Sequence, residues 1–551
     1  MAASPYEEAS VTRHPIAALL LFVSFAVPSF AADVSMRLDA GTGFNVLDNT
    51  GTIPRLRVDE ATGNVTRNGA LFLHTTGSNT NTFVGRFSGS LGTTAFANTS
   101  FGYAALYYVT NGYSNTAVGA HALTFNTTGI SNSAFGSTAL RSNTTGYWNS
   151  AFGGNALFSN TTAPQNSAFG HSALLANTTG AANSAFGSYA LRANVTGTEN
   201  AAFGQTALRN NSSGHRNAAF GRGALYANLV GSENAAFGVS ALGSNTASFN
   251  VGLGARALQN NTTGSENSAV GFEALRLNTT GFRSTAVGSR ALVSNTTGNY
   301  NTALGWHALY INSNGSRNTA VGVNALVLNQ TGFNNEAFGD LALDANTGGL
   351  FNTAIGSSAL GANTTGSRNV ALGGQAGANQ TTGSDNVYIA NPGVAAENGQ
   401  IKIGTVGTHV QSTMAGIHGR TSAGGIGVLV NASGVLGTTT SSARFKQDVR
   451  DMGDASDLLM RLRPVTFRYT EDAVGADEAR TPQYGLIAEE VAAVAPELVA
   501  PDLDGKPYSV KYHELPALLL NEVQEQEREI AELKAQMAQL QLQLADSAAN
   551  R

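Results

Sequence analysis

From about residue 81 the chain sets a large apolar residue directly before a glycine, and repeats this every 17 positions. One copy reads Asn149-Ser150-Ala151-Phe152-Gly153-Gly154-Asn155-Ala156-Leu157 and then Asn160-Thr161-Thr162. Its two short apolar pieces, Ala151-Phe152 and Ala156-Leu157, are bounded by glycine and by turn residues. The glycine recurs from Gly85 to Gly238 and, after the loss of one residue, from Gly254 to Gly373, eighteen positions in all. A fixed period held this long marks a solenoid or a fibrous array. No stretch keeps a helical face for long, and Asn, Thr and Gly are poor helix formers. The pattern therefore predicts a mainly β fold: a stacked 17-residue β-solenoid or β-roll shaft over residues 81–375, each copy one rung of two short strands. Rungs about 4.8 Å apart give a shaft roughly 85 Å long.

One rung is too thin to bury its apolar stripe, so stacking and lateral association must do so. The recurring Asn132, Asn149, Asn166, Asn183 and Asn200 are expected to form a side-chain amide ladder. Asn143-Thr144-Thr145 and its kin match a glycosylation sequon, but a turn accounts for them everywhere in the repeat. A regular Thr-Thr edge offers an ice- or sugar-binding surface, with plain solubility as the alternative.

The flanks obey other patterns. Arg13 and His14 precede an apolar run from Ile16 to Val27, and Ser29-Phe30-Ala31 supplies small residues at positions −3 and −1, so residues 1–31 read as an export signal. The run is short for a membrane span. Residues 32–80 predict a β-rich cap or attachment segment, with strands at Phe44-Asn45-Val46-Leu47 and Arg55-Leu56-Arg57-Val58 and turns at Gly51 and Gly63. Residues 376–440 predict a β connector with strands at 387–389, 401–403 and 428–430 and a turn at Asn391-Pro392-Gly393. Gly425-Ile426-Gly427 lacks the third glycine and the helix of a phosphate loop, so a β-turn is the reading. Residues 516–551 predict a helix. Leu519, Val523, Gln526, Ile530, Leu533, Met537, Leu540 and Leu544 follow alternating steps of four and three, a coiled-coil seam that by core-residue choice alone favours two strands.

Composition sharpens this. The chain has no cysteine, which excludes disulfides and thiolate chemistry. Net charge is −5, so no bulk attraction to nucleic acid is expected. Nearly half of the charged residues fall after Ser441, which separates a weakly charged shaft from a charged C-terminal domain.

At that boundary stands Ser441-Ser442-Ala443-Arg444-Phe445-Lys446. Spacing alone fits a polar linker with a solvated lysine. The stretch nevertheless resembles the opening of the peptidase S74 domain, the intramolecular chaperone of endosialidases and other phage tail spikes and fibres. Ser441, Arg444 and Lys446 match the family's Ser-Asp-x-Arg-x-Lys in register, while Ser442 replaces the usual Asp. Leu462-Arg463-Pro464-Val465-Thr466-Phe467-Arg468-Tyr469, Tyr484-Gly485-Leu486-Ile487-Ala488-Glu489-Glu490-Val491, Tyr512 and Leu518-Leu519-Leu520 continue the resemblance over about residues 435–545. It implies a chaperone and autoprotease domain at 441–515. In it Ser441 attacks the Thr440 carbonyl, Lys446 handles the proton, and the Thr440–Ser441 bond breaks. A lysine base must be neutral, and Arg444 would supply part of the positive field that favours this. The resemblance also argues for three chains at the coiled coil. The repeat itself is similar in style to the head repeats of trimeric bacterial adhesins.

Other residue clusters read as structural. Asp448, Asp451, Asp454 and Asp457 suit an acidic helix start better than a metal site. His513 is a packed or exposed histidine before it is a proton carrier, and Glu489 and Glu490 sit on a helix. The whole predicts an exported homotrimeric fibre or adhesin-like protein, secreted or held at a bacterial surface or envelope. Its C-terminal domain aligns three chains and then cuts itself off once, with no metal or other cofactor. Expected partners are two further copies and, in addition, a cell-surface glycan or receptor. Nucleic acid is not expected, nor is integration into a membrane. The alternatives are a carbohydrate-binding or carbohydrate-degrading tail-spike-like protein and a structural surface protein with an inactive S74 domain.

Overall fold

The computed structural model describes residues 36–549 apart from 40–42, 48–49, 51, 53, 60, 76–79, 418–421, 432, 475–477 and 503. The expected export signal at 1–31 and the expected turn at Gly51 lie outside the described residues. The chain divides into two compact units between Ile403 and Gly404.

The first unit opens with five antiparallel strands, Met36–Asp39, Gly43–Leu47, Pro54–Val58, Val65–Arg67 and Ala70–His74, each paired with the next. The last pairs with Thr82–Val84, setting Leu73 opposite Val84 and His74 opposite Phe83. This meander covers an edge that would otherwise present unpaired backbone groups.

Twenty three-residue strands follow, from Thr82–Val84 to Ile401–Ile403, each parallel to the next. Equivalent residues lie level: Ser150 with Ser167, Ala151 with Ala168, Phe152 with Phe169. The unit is a β-solenoid of about nineteen stacked turns, and it continues past residue 375 because Val387–Ile389 and Ile401–Ile403 stack onto it. Each turn holds one strand rather than the two expected. The second apolar piece, Ala156-Leu157, is fully buried, but Leu157 has φ +51°. A left-handed residue cannot extend a strand; it folds the chain back and aims the leucine into the bore. Turn-to-turn bonding persists there, with Leu157 N donating to Ala173 O at 3.0 Å.

The expected asparagine ladder is present. Asn149 N donates to Asn132 Oδ1 at 3.0 Å, and Asn149 Nδ2 donates to Asn132 Oδ1 and Ala163 O. A second ladder runs through the asparagines of the Asn-Thr-Thr-Gly turns. Asn143 is buried; its Nδ2 donates to Asn126 Oδ1 at 2.7 Å and to Gly146 O at 3.0 Å. The buried ladder asparagines of these turns thus have their amides engaged in the fold. The missing residue of the repeat is absorbed at this corner. Asn228 reaches Gly231 O, three residues on, whereas Asn245 reaches Ala247 O, two residues on. The ladder breaks at this step, where Asn228 Oδ1 is buried without a partner, and resumes with Asn261 Nδ2 donating to Asn245 Oδ1 at 2.7 Å.

The bore is closed by aromatic rings. The middle strand residue is Ala, Ser or Gly in the interior turns but Phe83 in the first and Tyr388 near the end, both fully buried. Gly89 against the Phe83 ring, and Gly377 and Gly393 against the Tyr388 ring, leave the space a Cβ would fill.

The second unit begins with a hairpin of Val428–Val430 and Leu436–Thr438. Gly425-Ile426-Gly427 is exposed and leads into it, but the turn lies one step earlier, where Gly425 N donates to Ser422 O at 3.1 Å. Short 3-10 helices at Ala443–Phe445 and Gly453–Arg461, two further strand pairs and helices α1 (Glu471–Val474), α2 (Ala488–Val494) and α3 (Leu515–Ala549) complete it. Its buried core is small: Val491, Ala495, Leu498, Val499 and Val510. Among the described residues no helix is long and apolar enough to cross a membrane.

Candidate functional site

Ser441 and Lys446 flank the short 3-10 helix Ala443–Phe445. Its backbone bonds, Phe445 N to Ser442 O and Lys446 N to Ala443 O, fold the chain back on itself. This reversal brings residues five apart together: Lys446 Nζ donates to Ser441 Oγ at 3.3 Å. Thr440, Ser441, Arg444 and Lys446 are all exposed in the single chain. The Arg444 guanidinium lies 4.6 Å from the centroid of the Phe445 ring, a cation–π contact. Ser442 heads the helix without a side-chain cap bond, although an N-terminal position is where an Asp or Ser side chain usually makes one.

The other motifs are joined to one another. Tyr512 Oη accepts a hydrogen bond from Leu486 N at 2.9 Å, and a Cβ on Gly485 would lie 2.6 Å from that oxygen. The spacing thus explains a glycine beside the tyrosine. Arg463, beside Pro464, donates through Nε to Glu490 Oε2 at 3.1 Å and through its other arm to Oε1. The Arg463 hydrogen bond holds the Glu490 carboxyl below its usual range. These two long-range links tie the Leu462 segment, the Tyr484 segment and Tyr512 into one domain. Sequence reasoning named all three but could not pair them. Glu490 is on α2, as expected.

Of the aspartates, Asp454 stands in the first turn of Gly453–Arg461, and Asp457 lies with Glu522 and Glu525, their carboxylate oxygens within 4.8 Å of one another. Asn521 of α3 donates to Gly453 O at 2.8 Å and Ser456 Oγ at 2.7 Å, so this group fastens that helix to α3. His513 Nε2 is 3.7 Å from Glu514, and no hydrogen bond joins it to Ser441 or Lys446 among the described residues. The three shaft glutamates singled out by position are paired one turn away: Arg216 lies between Glu199 and Glu233 at 3.3 and 3.7 Å, and Arg283 Nε meets Glu266 at 3.0 Å. Each of these three meets an arginine rather than a second carboxylate.

Along α3 the predicted seam has no cover in the single chain. Leu519, Val523, Ile530, Leu533, Met537, Leu540 and Leu544 are each about half exposed.

Residues 441–500 match the family model of peptidase S74, described as chaperone of endosialidase. No curated protein and no solved structure matches the chain. An S74 chaperone segment thus follows a β-solenoid shaft, the architecture of a fibre or tail-spike-like protein.

Proposed function

We propose that this protein is an exported homotrimeric fibre whose C-terminal domain assembles three chains and then releases itself by cutting the Thr440–Ser441 bond. The observation that carries the reading is the Ser441–Lys446 contact, which falls on the first residue of the S74 match. A serine hydroxyl needs a base, and lysine serves in its neutral form. Ser441 Oγ would attack the Thr440 carbonyl carbon while Lys446 accepts the hydroxyl proton and passes it to the leaving Ser441 amine. An N–O acyl shift of this kind leaves an ester, which water then opens, and the released domain begins with Ser441. Each site works once.

Trimerisation is supported by the uncovered leucine seam of α3 and by a domain core of only five buried residues. Both call for burial by like chains. Bringing three sites together would also cover the exposed dyad and so couple cutting to assembly. Export is supported by the pattern of residues 13–31.

The test is an intact mass of the expressed product. Wild type is expected to yield a shaft ending at Thr440 and a separate fragment beginning at Ser441. Ser441→Ala and Lys446→Ala are expected to remain full length, with cleavage reduced by at least about a hundredfold. A Ser441→Ala product still shortened after Thr440 would sink the dyad.

A further inference from the structure

The solenoid carries one outward row unlike the rest. The third residue of every solenoid strand, from Val84 to Ile403, is a large apolar side chain in all twenty. Seven of these, Phe135 to Phe237, stack ring on ring at 4.6–4.7 Å with interplanar angles of 4–7°. Val, Leu, Ile and one Phe continue the row to its end. The row is only part-covered: Phe101 is 59% exposed, Phe237 41%, Leu304 46% and Leu372 48%. The neighbouring column, the first strand residue, is Thr, Ser, Ala, Val or Ile with the single exception of Glu336. Other outward rows vary freely. The one through Gly154 holds Tyr103, His171, Arg222, Trp306 and Asp340. Stacking along the row steadies one chain, but solubility of a single chain gives no reason to leave such a row part-exposed through every turn.

We infer that this row is the seam along which copies of this chain pack side by side, parallel and with equal turns level. Three arguments commit it to that occupant. The row exposes on the order of 1,000 Å² of apolar surface, above what a soluble monomer usually leaves in one patch and comparable to one partner's share of a stable interface. A partner that fills every step must itself repeat about every 4.7 Å, and another copy of the shaft has that repeat. The row also has a direction, phenylalanine-rich toward the cap and aliphatic beyond the 16-residue turn between Ala235 and Val251. Only parallel, level copies set phenylalanine beside phenylalanine and the short turns beside one another. This deepens the self-association proposed above and rests on it for the number of copies, three.

The chain has no cysteine of its own, so single thiols report cleanly. Full-length protein carrying Phe186→Cys, or the gentler Val287→Cys, is expected to give an interchain dimer as the major band after oxidation or treatment with a short bis-maleimide. Gln205→Cys, exposed on another row, is expected to give only background. When Phe186→Cys and Phe203→Cys chains are co-expressed with different tags, 186–186 and 203–203 links are expected to exceed 186–203 links clearly. A trimer that cuts itself normally but shows no link at 186 or 287 would overturn the seam and leave the chaperone reading standing. Level links in a protein that never cuts would uphold the seam and remove the self-cleavage. A monomer would overturn the seam and the trimer together.

Discussion

The left-handed glycine after each strand lets its turn approach the next closely. Gly204 has φ +135°, and a Cβ there would lie 2.7 Å from the carbonyl of Gly221 in the next turn. Gly223, with φ +67°, faces open space, its nearest neighbour Ser240 Oγ at 3.8 Å, and other turns place Asn155 or Thr206 at that position with the same backbone. Gly204→Ala is therefore expected to cost more than about 3 kcal/mol, and Gly223→Ala about 1 kcal/mol or less, in denaturant melts. At the cap, His74 is 2% exposed and Nε2 lies 2.6 Å from Ser88 O. Burial lowers its pKa against the opposing effect of the Ser88 bond. The folded ring thus stays neutral where the unfolded chain begins to take up a proton, near 6.5. The cap's stability is intact above that pH and falls as pH drops below it. Tryptic nicking at Arg67, referred to the same protein at pH 7.5, is expected to rise at pH 5.5 in wild type, and to rise less in His74→Gln, which cannot take a charge. The sequence marked the glycines but gave no sign of His74, because burial of a lone polar residue depends on which strand covers it.

A solenoid's core must be closed near each end, where the run of alike turns stops. Tyr388 and Phe83 do this with rings where interior turns need only a methyl group. Tyr388→Ala opens a cavity worth about 3–5 kcal/mol of local stability. In a nearest-neighbour array that loss stays local. Amide exchange is expected to speed up over residues 370–403 and to remain unchanged over 200–300; uniform loosening would argue against such closure. The ladders belong to this scale too. Ser284 stands in for asparagine and still accepts from Asn301 N at 3.3 Å, so the ladder tolerates a shorter acceptor as long as the backbone donor is met.

A shaft of near-identical turns can pair one turn out of step at little cost, since a slip of 17 residues keeps every strand's facing pattern. The proposed trimer therefore needs something to level its chains before the shafts meet, and the exposed seam of α3 would supply the means. Leu533→Glu with Leu540→Glu is expected to remove the trimer and leave aggregates of mixed register, read by light scattering of the full-length chain. A soluble trimer from that variant would show that α3 is dispensable for assembly.

Much of this was fixed by order along the chain. The period, the mainly β class, the first asparagine ladder, the terminal helix and the S74 motifs are legible because periodic spacing decides which residues stack or face alike. The contacts that give those motifs meaning were not. Leu157 belongs to a left-handed turn rather than a second strand, the turn asparagines point inward, and Arg463 finds Glu490 as Leu486 N finds Tyr512. Each depends on which segments lie beside one another once folded. Local propensity does not encode that, because its energy comes from neighbours many residues away.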